Sequence, residues 1–135
     1  MPTFLKEERL KSRKQIENLV KQGEIIYSQP LKLIWQKKET TYKNKHREIK
    51  VAFSVPKRRF KKAVDRNRIK RILREAYRHE KSVLWEKNCS GKSLLLLFVY
   101  VGNKIISYKE ASEKMKEIIR QISLKDKKND NKPNE

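Results

Sequence analysis

Arg66, Asn67, Arg68, Lys70, Arg71, Arg74 and Arg78 fall within one short stretch of the chain, and their chemistry is that of anion recognition. A guanidinium presents a planar fork of donors that matches the oxygens of a phosphate, which an ammonium does not. At about 100° per residue, Ile69, Ile72, Leu73 and Ala76 share one face of a helix, with Tyr77 at its margin. Asn67, Lys70, Arg71, Arg74 and Arg78 share the opposite face, flanked by Arg68 and by Glu75, which is spaced to pair with Arg71 or Arg78. Like charges three and four positions apart repel by a few tenths of a kcal/mol per pair. With Glu75 as the sole compensating acid, this face reads as a surface for a polyanion rather than a merely solvated one. Lys57, Arg58, Arg59, Lys61 and Lys62 extend the positive charge into the segment before it.

Protein-based catalysis finds no such constellation. An enzyme that cleaved a polyanion through its own side chains would need general acid–base groups or clustered metal carboxylates. His46 lies in an expected loop and His79 at the end of the basic helix, in no recognisable pair. Asp65 reads as a cap or ion-pair partner at the helix N-terminus. Cys89 has no zinc-ligand spacing around it, and Glu110, Glu113 and Glu117 alternate with lysines on a solvated helix face.

The 135 residues include 36 Lys+Arg against 16 Asp+Glu, a formal net charge of +20. Residues 56–81 carry 12 basic and 3 acidic side chains, so +9 of the excess sits in this one segment. With 36% hydrophobic residues and a longest apolar run, Leu94–Val101, of 8 residues, no membrane span is expected. Binding to a membrane surface through the basic helix is disfavoured, because its modest aliphatic face is needed for the core. Met1–Glu8 has no apolar h-region, and the single cysteine fits a reducing compartment, so a cytoplasmic location is expected.

Elements to hold the basic helix in place are legible. Ser12-Arg-Lys-Gln15 is a capping box, followed by Ile16, Leu19 and Val20 on one stripe, with Gly23 as an expected left-handed stop. A strand is expected near 24–28 and another where Leu31, Leu33 and Trp35 alternate with polar positions, Pro30 separating or bending them. The polar stretch Lys37–Glu48 reads as a loop, and Ile49, Val51, Phe53 and Val55 as one buried strand face. Leu94–Val101 lacks alternation and predicts a strand covered on both faces. Ser107-Tyr-Lys-Glu110 is a second capping box, before the stripe Ala111, Met115, Ile118, Ile119 and Ile122. The expected class is α+β, an α-β-β-β-α-β-α sandwich of one sheet packed with helices. One domain is expected over 1–123, and a disordered polar tail over 124–135.

The run Arg66-Asn67-Arg68-x-Lys70-Arg71-x-x-Arg74-Glu75-Ala76-Tyr77-Arg78, preceded by Ala63-Val64, resembles the RNR motif of the protein subunit of bacterial ribonuclease P. The element order resembles that family too, over about residues 9–122. The resemblance implies a mixed four-stranded sheet with a left-handed βαβ crossover, like some ribosomal proteins and against the general rule of handedness. It implies a protein subunit that binds the catalytic RNA and the 5′ leader of precursor tRNA. The RNA subunit would cut the leader and hold most of the Mg²⁺, with no cofactor bound by the protein alone and no obligate protein partner. Carried over by motif, the RNA-binding positions are Arg66, Asn67, Arg68, Lys70, Arg71, Arg74 and, in the preceding turn, Lys57. Arg58, Arg59, Lys61, Lys62 and Arg78 join them by charge.

A leader cleft between the first helix and the sheet is implied, with Ile16, Val20, Lys32, Ile34 and Lys50 as candidates. Family members often carry Phe at the positions of Ile16 and Val20, and an aromatic near Ile34; here all three are aliphatic. Trp35, Tyr27 and Phe53 read as core aromatics rather than replacements. The usual glycine before Ala63 is also missing, Arg59-Phe60-Lys61-Lys62 standing there. Two other classes compete: a structural RNA-binding protein of ribosomal type with no role in cleavage, and a DNA-binding helix-turn-helix protein. The latter needs a helix shortly before Ala63, where the sequence reads as strand and basic turn.

Overall fold

The computed structural model describes residues 9–39, 49–82 and 92–130. Its elements are α1 (Arg13–Gln22), β1 (Glu24–Ser28), β2 (Leu31–Glu39), β3 (Ile49–Ser54), α2 (Ala63–Glu80), β4 (Lys92–Tyr100) and α3 (Tyr108–Asp130). The strands form one mixed sheet in the order β1-β2-β4-β3. β1 and β4 each pair antiparallel with β2, and β3 runs parallel to β4, so β3-α2-β4 is a βαβ unit.

The run without alternation explains the sheet order. Leu94, Leu95, Leu96, Leu97 and Phe98 are all buried, so β4 needs cover on both faces and takes an interior position. On one face Leu94, Leu96, Phe98 and Tyr100 join Leu33, Trp35 and Val51 beneath α2 and α3 in the larger core. On the other, Leu95 and Leu97 join Ile34, Leu10 and Leu19 in a small core closed by α1. Arg9 bridges to Val51, and the Leu10 N–H donates to the Val51 carbonyl at 2.9 Å, which occupies part of the β3 edge.

Both capping boxes place their hydroxyls as expected. Ser12 Oγ accepts from the Gln15 N–H at 3.3 Å, and Ser107 Oγ from the Glu110 N–H at 3.2 Å. The end of α1 differs. Gly23 has φ −72° and ψ 156°, extended rather than left-handed backbone. Its glycine is required by close approach instead: a Cβ there would lie 2.5 Å from the Leu19 carbonyl oxygen and 2.7 Å from Ile34 Cγ2. Gly23→Ala should therefore cost about 1–3 kcal/mol, read as a lower urea midpoint with an unchanged slope.

Two other boundaries move. β2 runs on to Glu39, into the expected loop, whose remainder at 40–48 lies outside the described residues. The tail expected to be disordered from 124 instead continues α3 to Asp130. A helix already nucleated by the Ala111–Ile122 stripe propagates at a cost of only a few tenths of a kcal/mol per residue, and Leu124, Lys125, Lys127 and Lys128 are good helix formers. Residues 131–135 and Cys89 lie outside the described residues.

Candidate nucleic-acid interface

α2 is seated by the residues its periodicity points to. Ile69, Leu73, Ala76 and Tyr77 are fully buried, and Ile72 packs partly against the same core. Tyr77 is an integral core residue rather than a marginal one. Its ring meets Phe53 at 6.1 Å and Phe98 at 5.8 Å, centroid to centroid, while Phe53 stacks on Phe98 at 5.5 Å. Three aromatic rings thus fix how far α2 stands from the sheet.

Anchoring that face leaves the other outward. Asn67, Arg68 and Arg71 are exposed, and Lys70, Arg74 and Arg78 are half-buried. Arg78 is partly neutralised: it ion-pairs with Glu75, which also lies 3.3 Å from His79 Nε2. The hydrogen bond from Arg78 holds the Glu75 carboxyl below its ordinary range, and Glu75 in turn raises Arg78. The only acid on the ridge is therefore occupied at its C-terminal end, and Arg71 and Arg74 keep their charge uncompensated by it. Arg74 Nε is shielded from water yet meets no acceptor among the described residues.

The turn before α2 is built differently from a loose basic loop. Lys57, Arg58, Arg59, Lys61 and Lys62 are exposed, while Phe60 between them is buried and packs against Tyr100 at 5.9 Å. Arg66 reaches back from the first turn of α2 and donates to the carbonyls of Phe60 at 2.8 Å and Lys61 at 2.9 Å. Arg59 donates to Asn103 Oδ1 at 2.9 Å, tying the turn to the segment after β4. Asp65 lies in the first turn of α2, where a negative charge suits the helix dipole, but Lys62 holds the cap position without a side-chain cap. Arg66 is thus a clasp as well as a charge. Arg66→Lys keeps the charge but loses the planar Nη1 that serves both carbonyls, so the turn amides at 58–62 should exchange faster with solvent, with a stability loss of about 1 kcal/mol.

The cleft candidates divide. Ile34 is 5% exposed and forms the floor of the small core, where the half-buried Ile16 also packs, so Ile34 offers a ligand almost no surface. Val20 is exposed at 54%. Lys32 and Lys50 project from the same sheet face as Ile34, on either side of the row Ile34–Leu97–Ala52 that α1 covers. Trp35 is buried and Phe53 packs on the core, as expected of core aromatics, but Tyr27 is 61% exposed on the α1 side of the sheet. Among the described residues no three His, Cys, Asp or Glu side chains gather as metal ligands. His79 is engaged with Glu75 and stands edge-on to Tyr108 at 6.2 Å. Among those residues, too, no helix is long and apolar enough to cross a membrane.

Sheet, seated helix and clasped turn define a basic α+β domain with a cationic ridge along α2. The Ribonuclease P family model matches residues 4–123, nearly the whole described chain. The ribonuclease P protein component of Chlorobium phaeobacteroides is 34% identical over 105 residues, 73% of this chain and 72% of that protein. The Staphylococcus aureus RNase P protein shares the fold at a TM-score of 0.62 and 19% identity, over 87% of this chain and 96% of its own. The Thermotoga maritima RNase P protein does so at 0.60 and 19%, over 84% and 96%. This chain belongs to the ribonuclease P protein component family.

Proposed function

We propose that this chain is the protein subunit of a ribonuclease P ribonucleoprotein. In this reading it docks on the catalytic RNA through the outer ridge of α2 and the Lys57–Lys62 turn. It also helps hold the 5′ leader of precursor tRNA while the RNA subunit, which carries the Mg²⁺, removes that leader in the cytoplasm. The observation that carries the reading is the ridge itself. Asn67, Arg68 and Arg71 face outward, Arg74 has an unmet donor, and the neighbouring acid is engaged by Arg78. Structured RNA supplies phosphates on a curved surface that such a ridge can meet with several guanidinium forks at once.

The test combines the purified chain with a bacterial ribonuclease P RNA and a precursor tRNA at low Mg²⁺. Leader removal should be faster than with RNA alone. No stimulation, with co-sedimentation on ribosomal particles instead, would replace this reading by a structural RNA-binding role.

A further inference from the structure

We propose that His79, set between Glu75 and Arg78, makes docking of the α2 ridge on RNA proton-linked, so that affinity rises as pH falls. This inference rests on the reading above and concerns the regulation of that same surface. Arg71, Arg74 and Arg78 follow one another at i, i+3 and i+7 along the outer side of α2, and His79 stands beside the last of them in the final turn. Glu75 is ion-paired with Arg78, so with a neutral His79 these three side chains carry no net charge. All three stay within reach of protons and of a ligand: the side chains of His79, Glu75 and Arg78 are 35%, 46% and 22% exposed.

The surroundings of one atom differ between the two charge states. His79 Nε2 lies 3.1 Å from Arg78 Nη2 and 3.3 Å from Glu75 Oε1. A guanidinium only donates and an ionised carboxylate only accepts, whereas an imidazole nitrogen does either according to where its protons sit. A neutral ring with its proton on Nδ1 accepts from Arg78 at Nε2. A doubly protonated ring has no acceptor left: it donates to Glu75, competes with Arg78 for that carboxylate, and sets a second cation beside the guanidinium. The cluster gains one positive charge, and Arg78 loses sole hold of the one acid on the ridge. Among the described residues, the groups that face His79 are Glu75 and Arg78 on α2 and Tyr108 on α3, edge-on at 6.2 Å. Glu80 falls on the opposite side of α2 from Arg71 by helical phase.

The experiment measures binding of the full chain to a bacterial ribonuclease P RNA at fixed ionic strength between pH 8 and pH 5.5, a range in which histidine changes charge. Wild-type affinity should rise roughly fivefold toward pH 5.5, with a salt slope steeper by about one counterion. His79→Gln, neutral throughout, should lose that gain. His79→Lys, charged throughout, should bind at pH 8 as the wild type does at pH 5.5. Glu75→Gln should raise affinity at pH 8 by a similar factor, because the ridge then carries one positive charge more. If His79→Gln keeps the wild-type pH response, or if His79→Lys and Glu75→Gln bind no better than wild type at pH 8, the proton link is wrong and the docking role stands. A wild-type chain that fails to bind this RNA at any pH would remove the functional reading and this inference together.

Discussion

Replacing both Arg71 and Arg74 with alanine should weaken binding to ribonuclease P RNA on the order of 100-fold. It should also reduce the slope of log affinity against log salt by about two, one counterion per lost phosphate contact. Arg71 is exposed, Arg74 is half-buried, and the neighbouring Glu75 is engaged by Arg78. Removing these two therefore takes away charge available to a ligand rather than charge used in folding. Circular dichroism should show the helix content retained, since neither head group belongs to the core beneath α2. Arg78→Ala is the contrast. Its guanidinium is already engaged by Glu75, so the same substitution there should change the slope less. A double variant with an unaltered salt slope would take the α2 ridge out of the interface.

Phe98→Ala should have the largest effect on stability. Phe98 is fully buried toward the C-terminal end of β4, stacked on Phe53 and tilted against Tyr77. Deleting a buried Phe side chain costs about 3–5 kcal/mol through lost transfer energy and the cavity left behind. Against a total of about 5–15 kcal/mol, that loss should lower Tm by roughly 10–20 °C. Phe98→Leu keeps most of the volume and should cost under about 2 kcal/mol. The two variants together separate loss of packing from loss of the ring. A Tm within a few degrees of wild type for Phe98→Ala would mean that β4 is not the spine of the larger core.

Much of this architecture is carried by local signals. Ser12 and Ser107 mark helix starts because a capping hydroxyl acts within three residues. The stripe through Ile69, Leu73 and Ala76 fixes which side of α2 faces out, and with it most of the ridge. Features set by distant neighbours were not legible. Gly23 suggests a left-handed stop from its type alone, whereas Ile34 across the β1–β2 turn is one reason for it. Tyr27 looks like any strand aromatic, because alternation does not tell an edge strand from an interior one. Arg66 belongs to the motif by spacing, yet its contacts with Phe60 and Lys61 depend on how the turn folds back. One signal for it was present: the turn lacks the family's usual glycine, so something else has to hold its shape. The expected tail failed for a different reason, since composition describes a segment in isolation and not one that continues a formed helix.

The clasp made by Arg66 bears on the timing of assembly. Because Phe60 is anchored beneath the turn and its carbonyl is held from α2, the basic turn and the helix are fixed relative to each other before the proposed docking on RNA. Their conformational entropy is given up when the chain folds, not at the moment of encounter. In the proposed complex, docking through them would be a collision between preformed surfaces, steered by long-range attraction, and association kinetics should show no slow ordering phase from that part of the interface.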